Sequence, residues 1–359
     1  MTRVLLVDDS AVVRRIVRAA LAPASEVEVC GEARNGAEAL ALVPVLKPDV
    51  VVLDVEMPVM DGLVTLRRMR RDHPTLPVVM CSTLTERGAA VTVEALAEGA
   101  ADFVTKPRAV SQDRMLDSLR EQIVPVLLAV TGRAPRAAAP APAAPPPQLR
   151  RVAAEPGSGY GVVVIASSTG GPNALSQVLP TWDLPVPVLV VQHMPPNFTK
   201  ILAERLNAVC TMPVSEAQDG EIAMPGQILI APGDFHLRLR GTAARPEVVL
   251  ANEPPENSVR PAADVTFRDV AALWGAHALG VVLTGMGRDG TDGARAVAGA
   301  GGYVLAQDEA SSVVWGMPGS VVEAGLATKV VPLDLVTSTV PALIRPAYTR
   351  FSAPATAAT

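Results

Sequence analysis

In the first third of the chain, several apolar runs end in residues that can handle a phosphoryl group. Residues 4–7 lead into Asp8-Asp9, residues 50–53 into Asp54, and residues 78–81 into Ser82-Thr83. The run 103–104 is followed closely by Lys106-Pro107. Three carboxylates brought to one place repel one another unless a cation joins them. A hard divalent ion such as Mg²⁺, taking one or two carboxylates plus waters, meets that need. A lysine neutralises further charge, and a hydroxyl can donate to an arriving oxyanion. A carboxylate so placed can be the nucleophile of phosphoryl transfer and become an aspartyl phosphate. Taken singly, each of these Asp residues is also what an ordinary cap after a strand looks like.

A second group lies beyond residue 160. The run 162–165 passes into Ala166-Ser167-Ser168-Thr169-Gly170-Gly171-Pro172, and a helical pattern follows. The run 188–191 ends in Gln192-His193-Met194-Pro195-Pro196, and the run 280–283 in Thr284-Gly285-Met286-Gly287-Arg288-Asp289-Gly290. Strand ends that supply Ser, His and Asp suit a nucleophile, a general base and the group that orients the base. The order Ser…His…Asp and the lack of Gly-x-Ser-x-Gly disfavour an ordinary lipase or esterase. The segment also lacks the Walker ending and the dinucleotide glycine spacing. Ser167 rivals Ser168 by residue type. Neighbours at a strand end point to opposite sides, so only one of the two faces the cleft. His193 is preferred because it sits at the mouth of a strand. His236, in a strand-like run, and His277, in a helical pattern, read as structural or surface residues, and His73 has a weaker context.

These residues need elements to position them. Before residue 130, strand-like runs alternate with helical patterns near 11–21, 36–46, 62–71, 89–98 and 112–128. That alternation predicts a flavodoxin-like, doubly wound domain with a five-stranded parallel sheet over residues 1–125. Residues 126–159 hold the end of the last helix and a Pro/Ala-rich linker, 131–159, without helical or strand periodicity. Residues 160–347 resume the alternation and predict a mostly parallel, doubly wound α/β hydrolase domain, with helices near 172–179, 198–208, 263–276, 291–300 and 320–324. A hairpin is expected in a stretch, read as Gly/Arg-rich, that Pro246 and Pro254 flank, and residues 348–359 are read as a tail.

The 359 residues, 49% hydrophobic and 19% charged, suit two folded domains rather than disorder. The net charge of −5 argues against a generic nucleic-acid binder. The dispersed cysteines Cys30, Cys81 and Cys210 suggest reduced thiols. With no signal-peptide anatomy and no apolar run long enough to span a bilayer, a cytoplasmic protein without direct membrane insertion is expected.

Val7-Asp8-Asp9-Ser10, Leu53-Asp54-Val55-Glu56-Met57-Pro58 with Asp61-Gly62, and Thr105-Lys106-Pro107 resemble the receiver domains of two-component response regulators. The resemblance implies phosphorylation at Asp54. It implies Mg²⁺ held by Asp9 and Asp54, with Asp8 nearby and the Glu56 carbonyl as a further ligand. Ser82 and Lys106 would contact the phosphoryl group, and Phe103 would be the aromatic switch. A cis Lys106–Pro107 bond is common in such domains. With the second half included, the chain resembles the CheB family of chemotaxis response-regulator methylesterases. The motifs are Ser168-Thr169-Gly170-Gly171, Gln192-His193-Met194-Pro195-Pro196 with Phe198-Thr199, Ala231-Pro232-Gly233, Leu283-Thr284-Gly285-Met286-Gly287 with Asp289-Gly290, and Gly316-Met317-Pro318-Gly319.

That resemblance implies Ser168 as nucleophile, His193 as base, Asp289 as its orienter and the Met286 backbone N–H as oxyanion donor. Thr169, Gly170 and Arg260 would line the substrate cleft. The implied reaction is hydrolysis of glutamate γ-methyl esters on methyl-accepting chemoreceptors, with glutamine deamidation by the same route. The implied phosphodonor is a chemotaxis histidine kinase, and the hydrolase needs no cofactor. Two departures stand out. Ala166-Ser167 replaces the family's usual Gly-Ala, so register against the family's Thr-Gly-Gly is what favours Ser168 over Ser167, and Val259-Arg260-Pro261-Ala262 replaces its frequent His-Arg-Pro-Ser. Two rival readings are a receiver-linked transcription factor and a binding module whose hydrolase is dead. The first lacks a basic recognition helix, and the second must explain why all three triad residue types are present.

Overall fold

The computed structural model describes residues 1–106, 112–133 and 159–348. The Lys106–Pro107 bond, linker residues 134–158 and tail residues 349–359 lie outside the described residues. The chain divides into two compact units, Met1–Pro142 and Ala143–Thr359.

In the first unit, β1 (Thr2–Val7), β2 (Val27–Ala33), β3 (Val50–Asp54), β4 (Val78–Ser82) and β5 (Asp102–Thr105) alternate with α1 (Ala11–Leu21), α2 (Gly36–Leu46), α3 (Gly62–Asp72), α4 (Glu86–Ala97) and α5 (Gln112–Val130). All strand pairs are parallel, in the order β2-β1-β3-β4-β5. This is the expected flavodoxin-like sheet. Side chains alternate across a strand, so β1 feeds two cores. Val4 and Leu6 pack with residues of α1 and α5, while Leu5 and Val7 pack with residues of α2, α3 and α4. The chain runs from β1 to one neighbour, β2, then returns to the other side as β3. Such a reversal opens a crevice at the carboxyl ends of β1 and β3, where Asp8, Asp9 and Asp54 stand. Helices α1 to α4 each begin with a capping side chain: Ser10, Asn35, Asp61 and Thr85.

The second unit contains β6 (Val162–Ser167), α6 (Gly171–Val178), β7 (Val188–Gln192), α7 (Phe198–Asn207), β8 (Val214–Glu216) and β9 (Ile228–Ile230). An antiparallel hairpin, β10 (His236–Thr242) and β11 (Arg245–Ala251), follows. The chain continues through α8 (Ala263–Trp274), β12 (Ala278–Val282), α9 (Thr291–Gly299), β13 (Tyr303–Gln307), α10 (Met317–Glu323), β14 (Lys329–Val331) and α11 (Leu333–Tyr348). The seven parallel strands are ordered β14-β13-β12-β6-β7-β9-β8. From β6 the sheet grows one way through β7, β9 and β8, then the other way through β12, β13 and β14. The reversal falls at β6, whose carboxyl end leads to Ser168. One face of β6 (Val162, Val164, Ala166) packs with α8, α9, α10 and the hairpin around the buried Phe267. A fully buried Phe of this kind contributes on the order of 2–3 kcal/mol.

Some elements differ from expectation. The hairpin starts ten residues before Pro246, at His236, and Pro246 lies inside β11 opposite Gly241. Pro246 has no N–H to give, but its carbonyl still accepts from Ala223 N at 2.9 Å, outside the ribbon. Strands β8 and β14 have three residues each, too short for a periodicity to register.

Each core cluster draws its residues from one unit alone. Fragments 1–133 and 159–348 should therefore each give a single cooperative thermal transition by circular dichroism. A fragment that melts without a transition would contradict independent cores.

Candidate active site and phosphoacceptor pocket

In the first unit the ligand atoms of Asp8, Asp9 and Asp54 lie within 4.8 Å of one another. Lys106 Nζ reaches Asp8 Oδ2 at 2.8 Å and Asp54 Oδ1 at 2.7 Å. Burial, with the Asp8 charge adding to it against the pull of Lys106, raises the Asp54 carboxyl to about 6. Burial lowers the Lys106 ammonium, but its two carboxylate partners outweigh that and leave it raised. Three carboxylates facing one ammonium leave excess negative charge that a divalent cation matches, and an all-oxygen donor set suits Mg²⁺. The residues present therefore fit that ion.

Asp9, Asp54, Glu56 and Lys106 line one cavity of about 760 Å³. At its rim the exposed Glu56 carboxylate pairs with Arg87 at 3.1 Å. The Ser82 hydroxyl donates to Gly88 O at 3.0 Å, and Thr83 rather than Ser82 lines the cavity. Phe103 is half-buried against the second core of this unit.

In the second unit, register places the nucleophile and base candidates side by side. Ser167 pairs with Gln192 across β6 and β7, so Ser168 and His193 are the next residues on neighbouring strands. The two candidate serines separate cleanly. Ser167 is fully buried, and its hydroxyl donates to Gln192 Oε1 at 2.7 Å. Ser168 is half-buried at the mouth. The Ser168 hydroxyl makes no hydrogen bond among the described residues, to the imidazole or to any other group. Catalytic contacts of this kind commonly tighten only when substrate is bound. Gln192 Nε2 donates to Ser168 O at 3.0 Å and to His193 O at 3.2 Å. One buried carboxamide thus ties both loops together. Gln192 lies in the Gln192-His193-Met194-Pro195-Pro196 motif, where its residue type alone suggests no role.

His193 Nε2 lies 2.7 Å from Asp289 Oδ2. A proton on Nε2 leaves Nδ1 as the nitrogen with a free lone pair. Asp289 is 2% exposed. Its Oδ2 also accepts from Ala263 N at 2.6 Å, and its Oδ1 from Asp264 N at 3.1 Å and Asn257 Nδ2 at 2.9 Å. Burial alone would raise this carboxyl. The His193 contact and the Ala263 and Asp264 N–H groups overcome that and lower it to about 2. These donors favour the ionised form of Asp289.

Met286 follows Gly285, whose chain passes against Ser168. A Cβ on Gly285 would lie 2.9 Å from Ser168 Cβ and 2.3 Å from Met317 Sδ, so only glycine fits. The Met286 N–H has no acceptor among the described residues. Thr169 is buried, and its carbonyl accepts from Thr284 Oγ1 at 2.9 Å. Gly170 has φ +76° at the start of α6. Arg260 spends its terminal nitrogens on Glu253 O, at 2.8 Å, and Asp234 Oδ1, at 2.9 Å. Those bonds brace its own loop and do not reach the Ser–His–Asp group. His236 is buried between Pro254 O and Ala262 N, and His277 meets Gly159 O, so both have structural partners as expected.

Comparison with known proteins agrees with this geometry. The family model for the CheB methylesterase matches residues 163–340, and that for the response regulator receiver domain matches residues 4–120. A protein-glutamate methylesterase/protein-glutamine glutaminase of Nocardioides is 48% identical over 92% of both chains. One of the same description from Trichodesmium erythraeum is 44% identical over 92% of this chain and 96% of its own. The solved Thermotoga maritima CheB methylesterase catalytic domain is 44% identical and covers 52% of this chain and 99% of its own, with a TM-score of 0.51. No described helix is long and apolar enough to cross a membrane. The chain belongs to the CheB family of protein-glutamate methylesterases/protein-glutamine glutaminases that carry a response-regulator receiver domain.

Proposed function

We propose that this chain hydrolyses glutamate γ-methyl esters on methyl-accepting chemoreceptors during chemotactic adaptation, under the control of phosphorylation at Asp54. The observation that carries the reading is the His193–Asp289 contact one strand away from the half-buried Ser168. Ser168 Oγ attacks the ester carbonyl carbon and gives its proton to His193 Nδ1. Asp289, fixed on Nε2, stabilises the imidazolium that forms. The unpaired Met286 N–H receives the developing oxyanion. Collapse breaks the bond to methoxide, which leaves as methanol with the proton from His193. Water, deprotonated by His193, then attacks the acyl-Ser168 and releases glutamate. A glutamine side chain follows the same course with ammonia leaving.

In the receiver, Asp54 is the phosphoacceptor and Lys106 balances charge on the phosphoryl group. Asp9, Asp54 and the Glu56 carbonyl would hold Mg²⁺, with Asp8 beside them. That ion neutralises charge on the transferring phosphoryl group. Ser82 would have to release Gly88 O before its hydroxyl could donate to a phosphoryl oxygen, with Phe103 responding as the switch. The donor is a chemotaxis histidine kinase, and the setting is the cytoplasm.

Methanol release from methylated receptor membranes should rise with a small phosphodonor plus Mg²⁺. Ser168→Ala should lower kcat by on the order of 10³-fold or more. Asp54→Ala should keep basal release and lose the stimulation. No release from the wild type under any condition would contradict the reading.

Chelating the divalent ion should abolish the stimulation and leave basal release untouched, because the hydrolase uses no metal. Loss of basal release on chelation would contradict that division of labour.

A further inference from the structure

Asp264 is the second residue of α8 and is 1% exposed. Its Oδ1 accepts from Gly293 N of α9 at 2.6 Å, and its Oδ2 from Asn257 Nδ2 at 2.8 Å. The same Asn257 nitrogen donates to Asp289 Oδ1 at 2.9 Å. The two helices have exchanged caps. Neither Ala262 before α8 nor Gly290 before α9 provides a side-chain cap. Asp289, just ahead of α9, takes the first amides of α8, and Asp264, on α8, takes an amide of α9. The Asn257 carboxamide joins the two carboxylates.

The donor count constrains Asp264. Both of its partners are N–H groups, so both of its oxygens must accept. A carboxylate does this, whereas a carboxamide turns a hydrogen toward one of them in either orientation. Asn257 sits at φ 52°, in the left-handed region that Asn and Gly tolerate. With both amide hydrogens committed, it cannot turn without leaving Asp289 Oδ1 without a donor.

We propose that Asn257 and Asp264 are positioning residues for the hydrolase: Asp264 orients the Asn257 carboxamide, and Asn257 holds Asp289 so that Oδ2 faces His193. This rests on the Ser168–His193–Asp289 reading above. Asn257 and Asp264 do not touch the reacting atoms. They act through the angle at which one carboxylate meets one imidazole.

The test is a coupling cycle on the full chain, with kcat and KM for methanol release from methylated receptor membranes. Asn257→Gly removes the amide and keeps the backbone conformation accessible. It should lower kcat roughly ten-fold or more, the usual effect of losing a hydrogen bond to a charged group, with KM within about two-fold. In an Asp289→Asn background the same change should cost nothing more, because the group it positions is gone. Asp264→Asn should behave like Asn257→Gly. If it fails to fold, the exposed Asn257 carries the test alone. Unchanged kcat, a change confined to KM, or an equal loss in both backgrounds overturns the proposal. Full turnover by Ser168→Ala or Asp289→Asn overturns the triad reading, and this proposal with it. Weak turnover in those two variants with full turnover in Asn257→Gly overturns the positioning role alone.

Discussion

A carboxylate shut away from water must be supplied with donors, and Asp289 takes four: an imidazole, two backbone amides and a carboxamide. The amides come from the start of α8, where the positive end of the helix dipole lies. The local sequence makes this possible. Ala262 cannot cap its own helix, so the first amides of α8 remain free for a residue from another loop. In the first unit, α1 to α4 cap themselves with Ser, Asn, Asp or Thr. In the second, α6, α8 and α9 lack side-chain caps, and their N-termini border the Ser168, Asp289 and Asp264 positions.

The two sites use one architectural constraint in opposite ways. A doubly wound sheet opens a crevice where its strand order reverses. In the first unit that crevice gathers carboxylates around a single lysine, and burial raises Asp54 to about 6. In the second it surrounds the Asp289 carboxylate with donors, which lower it to about 2, while burial raises the neighbouring Asp264 to about 6. The first cluster suits a cation and a phosphoryl group. The second suits an imidazole that gains and loses a proton beside a fixed negative charge.

Much of this was legible in the sequence because strand ends are legible. Asp8 and Asp54 directly follow apolar runs, and His193 and Asp289 lie in the loops that leave such runs, and parallel strands deliver these positions to one edge. Alternation of side chains says that one of Ser167 and Ser168 faces the cleft, register against the family's Thr-Gly-Gly picks Ser168, and Ser167 is the buried one of the two. What escaped depends on contacts between distant segments. Asp264 reads as an ordinary acid in the first turn of a helix, and nothing local says that it caps α9. Asn257 reads as a turn residue. Gln192 reads as the polar end of a strand, because its bonds to the Ser168 and His193 carbonyls exist only after β6 and β7 pair. The turn of Ser82 toward Gly88 is a rotamer choice, and sequence does not encode it.

The central claim is that one particular hydroxyl, Ser168 and not its neighbour, carries the acyl group. The most direct measurement is to react the full chain with an organofluorophosphonate, digest it, and locate the adduct by fragmentation mass spectrometry. The account predicts one adduct on Ser168, with loss of esterase activity in proportion to labelling. An adduct on Ser167, or full activity after stoichiometric labelling of Ser168, would contradict it.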